Sequence, residues 1–132
     1  MPLVNVYYQE GLLNQGELNS VSQSIHHSLM EEFNVPEKDY FHVFLPYAPG
    51  HFFYDRHYFL ESGKVRSDKM IHIAITCGPG RTVEQKKKLY QLIADALYKQ
   101  VNIPTTDVFI TLNETPIEDW SFGQGLINPM VN

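Results

Sequence analysis

The chain begins with Met1-Pro2, a pair that can supply a basic nitrogen. If Met1 is removed, Pro2 becomes the first residue and its nitrogen becomes a free secondary amine. A free α-amino group has a pKa of roughly 7.7–8.0, and burial in an apolar pocket lowers that pKa because it disfavours the cation. Such an amine titrates near neutral pH, where a general acid or base works best. Taken alone, the pair is equally compatible with a proline that merely starts a strand.

Other residue types that carry chemistry are present without a matching pattern. Six histidines are scattered along the chain, and only His27 has a potential co-ligand one helical turn away, Glu31. A zinc site needs three or four ligands that converge, so we expect no metal site. We also expect that the chain uses no cofactor. The single cysteine, Cys77, cannot form an intramolecular disulfide. We interpret it as a small buried core residue of a cytoplasmic protein rather than as a nucleophile.

The composition indicates an acidic chain with enough apolar residues for one core. Its 132 residues fit a single domain over residues 1–132, and 43% of them are hydrophobic. A domain of this size buries its surface incompletely, which favours an oligomer. The net charge of −5 and the pI of about 5.6 argue against nucleic acid and acidic membranes as partners. No apolar run approaches the length of a membrane span.

The hydrophobic pattern predicts two copies of a β-α-β unit, over about residues 1–45 and 70–115. Strands are predicted at 3–8, 40–45, 70–76 and 107–112 from their β-rich composition. Apolar residues at helical spacing predict one helix in each copy: Leu18, Val21, Ile25, Leu29 and Phe33 in the first, and Leu89, Leu92, Ile93, Ala96, Leu97 and Val101 in the second. Thr82, with Gln85 three residues on, predicts a capping box at the second helix.

The two copies match in register. Residues 35–39 lie 68 positions before residues 103–107, and both segments run from an apolar residue and a proline to an aspartate. Two such units predict an α+β fold in which four strands form one sheet, parallel within each copy, with both helices on one face. The uncovered face again favours an oligomer. Between the copies, the aromatic-rich segment 46–69 predicts a hairpin or short extra strands.

Three segments of the chain carry recognisable motifs. Residues 35–39 read VPEKD, and residues 81–86, at the start of the second predicted helix, read RTVEQK. Residues 119–125 read DWSFGQG and include the only tryptophan. These segments resemble the tautomerase superfamily, most closely its malonate semialdehyde decarboxylase branch, whose corresponding segments are Val-Pro-Glu-Arg-Asp, Arg-Ser-Glu-Glu-Gln-Lys and Asp-Trp-Ser-Phe-Gly-Arg-Gly. The resemblance covers nearly the whole length, except for roughly residues 46–69.

The resemblance implies a catalytic N-terminal proline, Pro2, in a homotrimer of fused β-α-β repeats. It also implies that Asp39 is an active-site acid and that Arg81 is catalytic. Trp120 and Phe122 correspond to residues that line the substrate pocket. The ligand implied is a small carboxylate, which the Arg81 guanidinium can hold in bidentate fashion near the positive end of a helix.

One departure from the family pattern concerns the turn before the second helix. The family decarboxylase has Arg-Pro-Arg there, with both arginines on the substrate carboxylate, whereas residues 78–81 read Gly-Pro-Gly-Arg. Only the second arginine is present, and Arg66 is the candidate for another substrate-binding cation. We therefore expect that the chain tautomerises a small 2-oxo acid similar to phenylpyruvate. Decarboxylation or hydration of a 3-oxo acid such as malonate semialdehyde is the second alternative. A catalytically silent trimer that binds a small carboxylate is the third alternative.

Two opposing effects on the Pro2 amine separate these alternatives. Apolar walls from Trp120 and Phe122 would exclude water and keep the amine neutral, as a tautomerase base requires. The Asp39 carboxylate would instead favour the protonated amine, an acid suited to hydration or decarboxylation. The sequence leaves this balance open.

Overall fold

The computed structural model describes residues 1–131, in which two long helices pack on one four-stranded sheet. The elements are β1 (Leu3–Gln9), α1 (Gln15–Phe33), β2 (Phe41–Tyr47), β3 (Ile71–Cys77), α2 (Val83–Val101) and β4 (Val108–Glu114). The strand order is β2-β1-β3-β4. Strands β1 and β2 are parallel, as are β3 and β4, and the central pair β1 and β3 is antiparallel. The predicted tandem β-α-β repeat is therefore confirmed.

Both helices have matching start and stop signals. Thr82 accepts a hydrogen bond from the Gln85 backbone N–H and the Gln85 side chain binds back, so the predicted capping box of α2 is confirmed. Asn14 begins α1 with the same arrangement. Asn34 and Asn102 end the two helices in the left-handed conformation, with φ of 54° and 59°. Asparagine tolerates this conformation better than most residues, which explains the abrupt ends before the following prolines.

The core lies between the helices and one face of the sheet. Residues of β1 and β3 alternate between buried and partly exposed, with the buried set facing α1 and α2. The opposite face carries Phe41, Val43 and Phe109, each close to half-exposed. Nothing in residues 1–131 forms a helix long and apolar enough to cross a membrane. The sheet thus has one packed face and one open face, as the pattern predicted.

The prediction of a hairpin or extra strands in residues 46–69 is wrong. This segment forms turns, with no strand between Tyr47 and Ile71. The cause is local: Asp55 Oδ1 accepts hydrogen bonds from the backbone N–H groups of His57 and Tyr58, at 2.8 and 2.9 Å, and so diverts the chain into a turn.

The end of the same segment is tied to β4 by a buried carboxylate. Asp107, which is 3% exposed, accepts hydrogen bonds from the backbone N–H and the hydroxyl of Ser67, at 2.8 and 2.6 Å. This pair fixes the residues that lead into β3. Asp107 stands 68 positions after Asp39, so the same repeat position carries an aspartate in both halves.

Candidate active site

The N-terminus lies against Asp39 at one end of the sheet. The Met1 ammonium is 2.9 Å from Asp39 Oδ2 and forms an ion pair. Pro2 is buried and leads directly into β1, while Asp39 stands just before β2. Because β1 and β2 are parallel, their first residues meet at the same end of the sheet. The fold thus brings together Pro2 and Asp39, although the Pro2 nitrogen is an amide while Met1 is attached.

Arg81 reaches the C-terminal end of α1 from the turn before α2. Its Nη2 donates to the Phe33 carbonyl at 2.9 Å, and its Nη1 donates to the Gly78 carbonyl at 3.2 Å. The guanidinium carbon lies 4.9 Å from the centre of the Phe33 ring. Since the last turn of α1 contains no basic residue of its own, Arg81 supplies the cation that this helix end favours. The guanidinium is therefore held in one orientation by backbone carbonyls.

Gly78 connects Arg81 to the N-terminus. A Cβ placed on Gly78 would lie 3.3 Å from the terminal methyl of Met1, so a larger residue here would have to shift the flexible end of the Met1 side chain. The carbonyl of the same residue accepts the Arg81 hydrogen bond. The Met1 side chain and the Arg81 guanidinium therefore converge on one turn, between β3 and α2.

The C-terminal segment brings two aromatic residues to the same region. The rings of Trp120 and Phe122 stack at 5.8 Å, and Phe122 lies 5.6 Å from Phe41 at the start of β2. The Trp120 carbonyl accepts a 2.9 Å hydrogen bond from the Asn128 backbone N–H. The Asn128 side-chain amide in turn contacts the Met1 sulfur. Trp120 is thus coupled to the N-terminus through Asn128.

Asn128 is the residue that sequence reasoning missed. It is 1% exposed, and its Oδ1 accepts the backbone N–H of Met130 at 2.9 Å. Its position near the end of the chain, outside the repeat, carries no periodicity that would indicate burial. An asparagine next to a proline reads instead as an exposed turn.

Trp120 carries a buried donor. Its indole Nε1 is shielded from solvent and donates no hydrogen bond to any residue among 1–131. A buried donor without an acceptor is costly, at about 1–3 kcal/mol. This nitrogen is therefore a suitable donor to an oxygen atom of a ligand.

Arg66 does not join this group within one chain. It precedes β3 by five residues and lines a separate cavity. Because β1 and β3 are antiparallel, the start of β3 lies at the opposite end of the sheet from Pro2. A seven-residue strand spans roughly 20 Å, which sets the scale of that separation.

The other nucleophilic and metal-ligating residues within 1–131 do not provide a second catalytic group. Burial, as the largest effect, raises the pKa of the Cys77 thiol, which keeps it protonated at neutral pH. Across the described part of the chain, residues 1–131, no three His, Cys, Asp or Glu side chains are grouped so that they could hold a metal ion. His27 pairs only with Glu31, at 3.4 Å.

A second polar cluster lies between α1 and β2. Ser22 Oγ and His42 Nδ1 are 2.8 Å apart, and the His42 ring lies 6.1 Å from that of His26. His26 and Tyr40 line an adjoining cavity of ≈380 Å³. Burial, reinforced by the neighbouring His26, lowers the pKa of His42 from 6.5 to about 4. His42 is therefore neutral at physiological pH.

Comparison with known families gives one clear match. The model of a family described as tautomerase enzymes matches residues 39–123. These boundaries include Asp39, Arg81 and the Trp120–Phe122 pair. A probable tautomerase of Bacillus subtilis (strain 168), YusQ, is 42% identical over 95% of this chain and 95% of its own.

Solved structures share the fold. A malonate semialdehyde decarboxylase, studied for its decarboxylase and hydratase activities, superposes with a TM-score of 0.83 at 27% identity, over 94% of this chain and 92% of that one. A fused 4-OT protein, described as a symmetric trimer, superposes with a TM-score of 0.76 at 20% identity, over 96% and 95% of the two chains. The tautomerase-like architecture expected from the sequence is therefore confirmed.

Proposed function

The chain belongs to the tautomerase family, and from that premise we propose that it catalyses keto–enol tautomerisation of a small 2-oxo acid, such as a phenylpyruvate-like compound. The proton carrier is the amine of Pro2, which becomes the N-terminus once Met1 is removed. The proposed reaction uses no metal or organic cofactor.

The proposed reaction is a balanced proton transfer. The neutral Pro2 amine takes a proton from the carbon beside the ketone, the C–H electron pair forms the C=C bond, and the carbonyl π pair moves to oxygen. The Pro2 ammonium then gives its proton to that oxygen, which yields the enol and restores the amine. Ketonisation is the same sequence in reverse. Buried surroundings favour this role because they lower the pKa of an amine towards neutrality.

Arg81 is the proposed anchor for the substrate carboxylate. An arginine has five N–H donors in a planar fork, and within residues 1–131 this guanidinium donates two hydrogen bonds, both to backbone carbonyls. Those two bonds fix its plane, while the other donors remain for a carboxylate. The Trp120 indole N–H is a further donor for a substrate oxygen. A small acid would take the space that the Met1 side chain fills beside Gly78 and Asn128.

The observation that carries the proposal is the convergence on Met1. Asp39 binds its ammonium, its methyl group lies beside Gly78, and Asn128 contacts its sulfur. Each of these residues belongs to a different part of the chain. Their meeting at the residue that precedes Pro2 is what a site built around the Pro2 nitrogen requires.

Decarboxylation or hydration of a 3-oxo acid is the second candidate function. Its support is the Asp39 carboxylate, which lies 2.9 Å from the terminal ammonium and stabilises a cation at this position. The similarity to a malonate semialdehyde decarboxylase points the same way. NMR titration of the Pro2 amine in trimmed protein separates the candidates. A pKa below roughly 7.7 supports the tautomerase, and one above roughly 8.0 supports the decarboxylase or hydratase.

We further propose that the protein is a homotrimer. The open face of the sheet presents Phe41 and Val43, each close to half-exposed, and partner subunits would cover these apolar side chains. A fused 4-OT neighbour of the same fold is a symmetric trimer. Light scattering coupled to size-exclusion chromatography measures the mass of the protein in solution and tests the proposal. A monomeric mass at micromolar concentration would reject it.

The experiment on the mechanism compares two chains that differ by one residue. Both are released from the same N-terminal fusion, one starting at Met1 and the other at Pro2, and mass spectrometry verifies each terminus. We expect the Pro2-initiated chain to ketonise phenylenolpyruvate about 10²–10⁴ times faster, since the Met1 form lacks the basic nitrogen. Equal rates would show that the Pro2 amine is not the proton carrier.

A further inference from the structure

A second cavity lies at the opposite end of the sheet from Pro2. Its volume is ≈390 Å³, within the range of small-molecule sites. Its walls are mainly aromatic and include one arginine: the lining residues used below are Phe52, Phe53, Tyr54, Arg66, Met70 and Phe109.

Three of its aromatic residues are repeat counterparts of the Pro2 site. The 68-residue offset of the two halves, continued beyond β2, pairs Phe52 with Trp120 and Tyr54 with Phe122. The rings of Phe52 and Tyr54 lie 4.8 Å apart, and those of Trp120 and Phe122 lie 5.8 Å apart. The same offset pairs Phe109 with Phe41, which contacts Phe122.

The residue before β3 completes the correspondence. Met70 is buried just ahead of β3, as Pro2 is buried just ahead of β1. Asp107 holds the segment before Met70 through Ser67, as Asp39 holds the residue before Pro2. The chain runs on through Met70, however, so every backbone nitrogen here is an amide and none can act as a base.

Arg66 supplies this cavity with a positive charge. Its guanidinium donates one hydrogen bond, from Nη1 to the Asp55 carbonyl at 3.0 Å, and takes part in no ion pair among residues 1–131. The Asp55 carboxylate also lines the cavity, but its Oδ1 is occupied by two backbone N–H groups of the following turn. Arg66 therefore retains donors for an external carboxylate.

We propose that this cavity is a second, non-catalytic site that binds a small aromatic carboxylate. The ring of the ligand packs against Phe53 and Phe109, and its carboxylate binds Arg66. Aromatic walls beside a guanidinium favour this class of ligand. An uncharged aromatic ligand would bury its ring against the same walls but would form no charge-assisted hydrogen bonds with Arg66. The inference goes beyond the proposed function, since it holds whether or not Pro2 turns substrate over.

The test uses 3-phenylpropanoate, which has no ketone and cannot enolise, and its neutral amide as the matched ligand control. Two NMR reporters separate the sites in trimmed protein. The methyl group of Met70 reports on the second cavity, and the indole N–H of Trp120, the only tryptophan, reports on the Pro2 site.

We expect the acid to shift the Met70 signal in a saturable way up to millimolar concentration. The variant Arg66→Gln should weaken that titration about tenfold or more and leave the Trp120 titration unchanged, because it removes one charge-assisted anchor. Arg81→Gln should do the reverse. The amide should bind about tenfold more weakly at Met70.

A second variant guards against a folding defect. Phe53 is 87% exposed, so Phe53→Ala should leave the fold intact while weakening the Met70 titration through loss of apolar contact. The proposal is overturned if the acid shifts Trp120 but never Met70. It is also overturned if the amide shifts the Met70 signal with the same affinity as the acid. The same holds if the acid binds the Arg66→Gln and Phe53→Ala variants as tightly as the wild type. If the protein shows no turnover but the Met70 signal titrates as expected, only the proposal for the Pro2 amine is rejected.

Discussion

His42 should make the fold sensitive to mild acid. Burial, and next the neighbouring His26, lower the pKa of His42 from 6.5 to about 4 in the folded protein. Between these two values the unfolded chain binds a proton that the folded chain does not. The free energy of unfolding therefore decreases as the pH falls from 6.5 towards 4, and the contribution of His42 is fully present above that window.

The size of the effect follows from the two pKa values. A decrease from 6.5 to about 4 corresponds to about 3 kcal/mol at full protonation. His42 is partly exposed, so solvent screening reduces this figure. We expect His42 to account for about 1–2 kcal/mol of the stability lost between about pH 7.5 and about pH 4.5.

Urea unfolding at both pH values measures this loss, with His42→Asn as the comparison. Asparagine keeps a polar group next to the Ser22 hydroxyl, which lies 2.8 Å from His42 Nδ1, but it does not titrate. The variant should lose about 1–2 kcal/mol less than the wild type on acidification. Burial also lowers the pKa of His72, but that residue titrates in both proteins and cancels in the comparison. Identical pH dependence in the two proteins would refute the reasoning.

Three further predictions test the site and its support. Arg81→Gln should raise the KM for a 2-oxo acid about 10–100-fold in steady-state kinetics, while Arg81→Lys should recover part of the loss because it keeps the charge; an unchanged KM in both would remove the anchor role. In trimmed protein, Asp39→Asn should lower the pKa of the Pro2 amine on NMR titration, since a cation loses its nearby carboxylate; an unchanged pKa would mean that Asp39 does not act on the amine. Asp107→Ala should reduce the free energy of unfolding by about 3 kcal/mol in urea, because the partly buried N–H and hydroxyl of Ser67 both lose their bonds to a charged acceptor. Asp68→Ala, at an exposed neighbouring position, should change it by less than about 0.5 kcal/mol; similar losses in the two would deny Asp107 a specific role.

The features that sequence predicted well are those fixed over short distances. Helical spacing of apolar residues located both helices, and the Thr82–Gln85 box located the start of α2 within one residue. The β-α-β order of each half predicted parallel pairing of its two strands, because a helical crossover connects parallel neighbours. Where the local preference of a segment agrees with its place in the fold, the sequence pattern alone is sufficient to predict its structure.

The features that sequence could not predict depend on contacts between distant segments. Arg81 binds the Phe33 carbonyl, 48 residues earlier, and no pattern in either segment indicates that meeting. Asn128 is buried because the C-terminal segment folds back over Met1, which composition does not encode. In residues 46–69, aromatic content predicted strands, but the side chain of Asp55 captured the backbone donors that a strand would have used.

The antiparallel pairing of β1 with β3 has a consequence for stoichiometry. It relates the two halves of the chain so that an i, i+2 aromatic pair, Phe52 with Tyr54 or Trp120 with Phe122, stands at each end of the sheet. A single polypeptide has only one first residue, so two repeats in one chain share one terminal amine. If that amine carries the proton, the half without it is free to diverge in the ligands that it accepts.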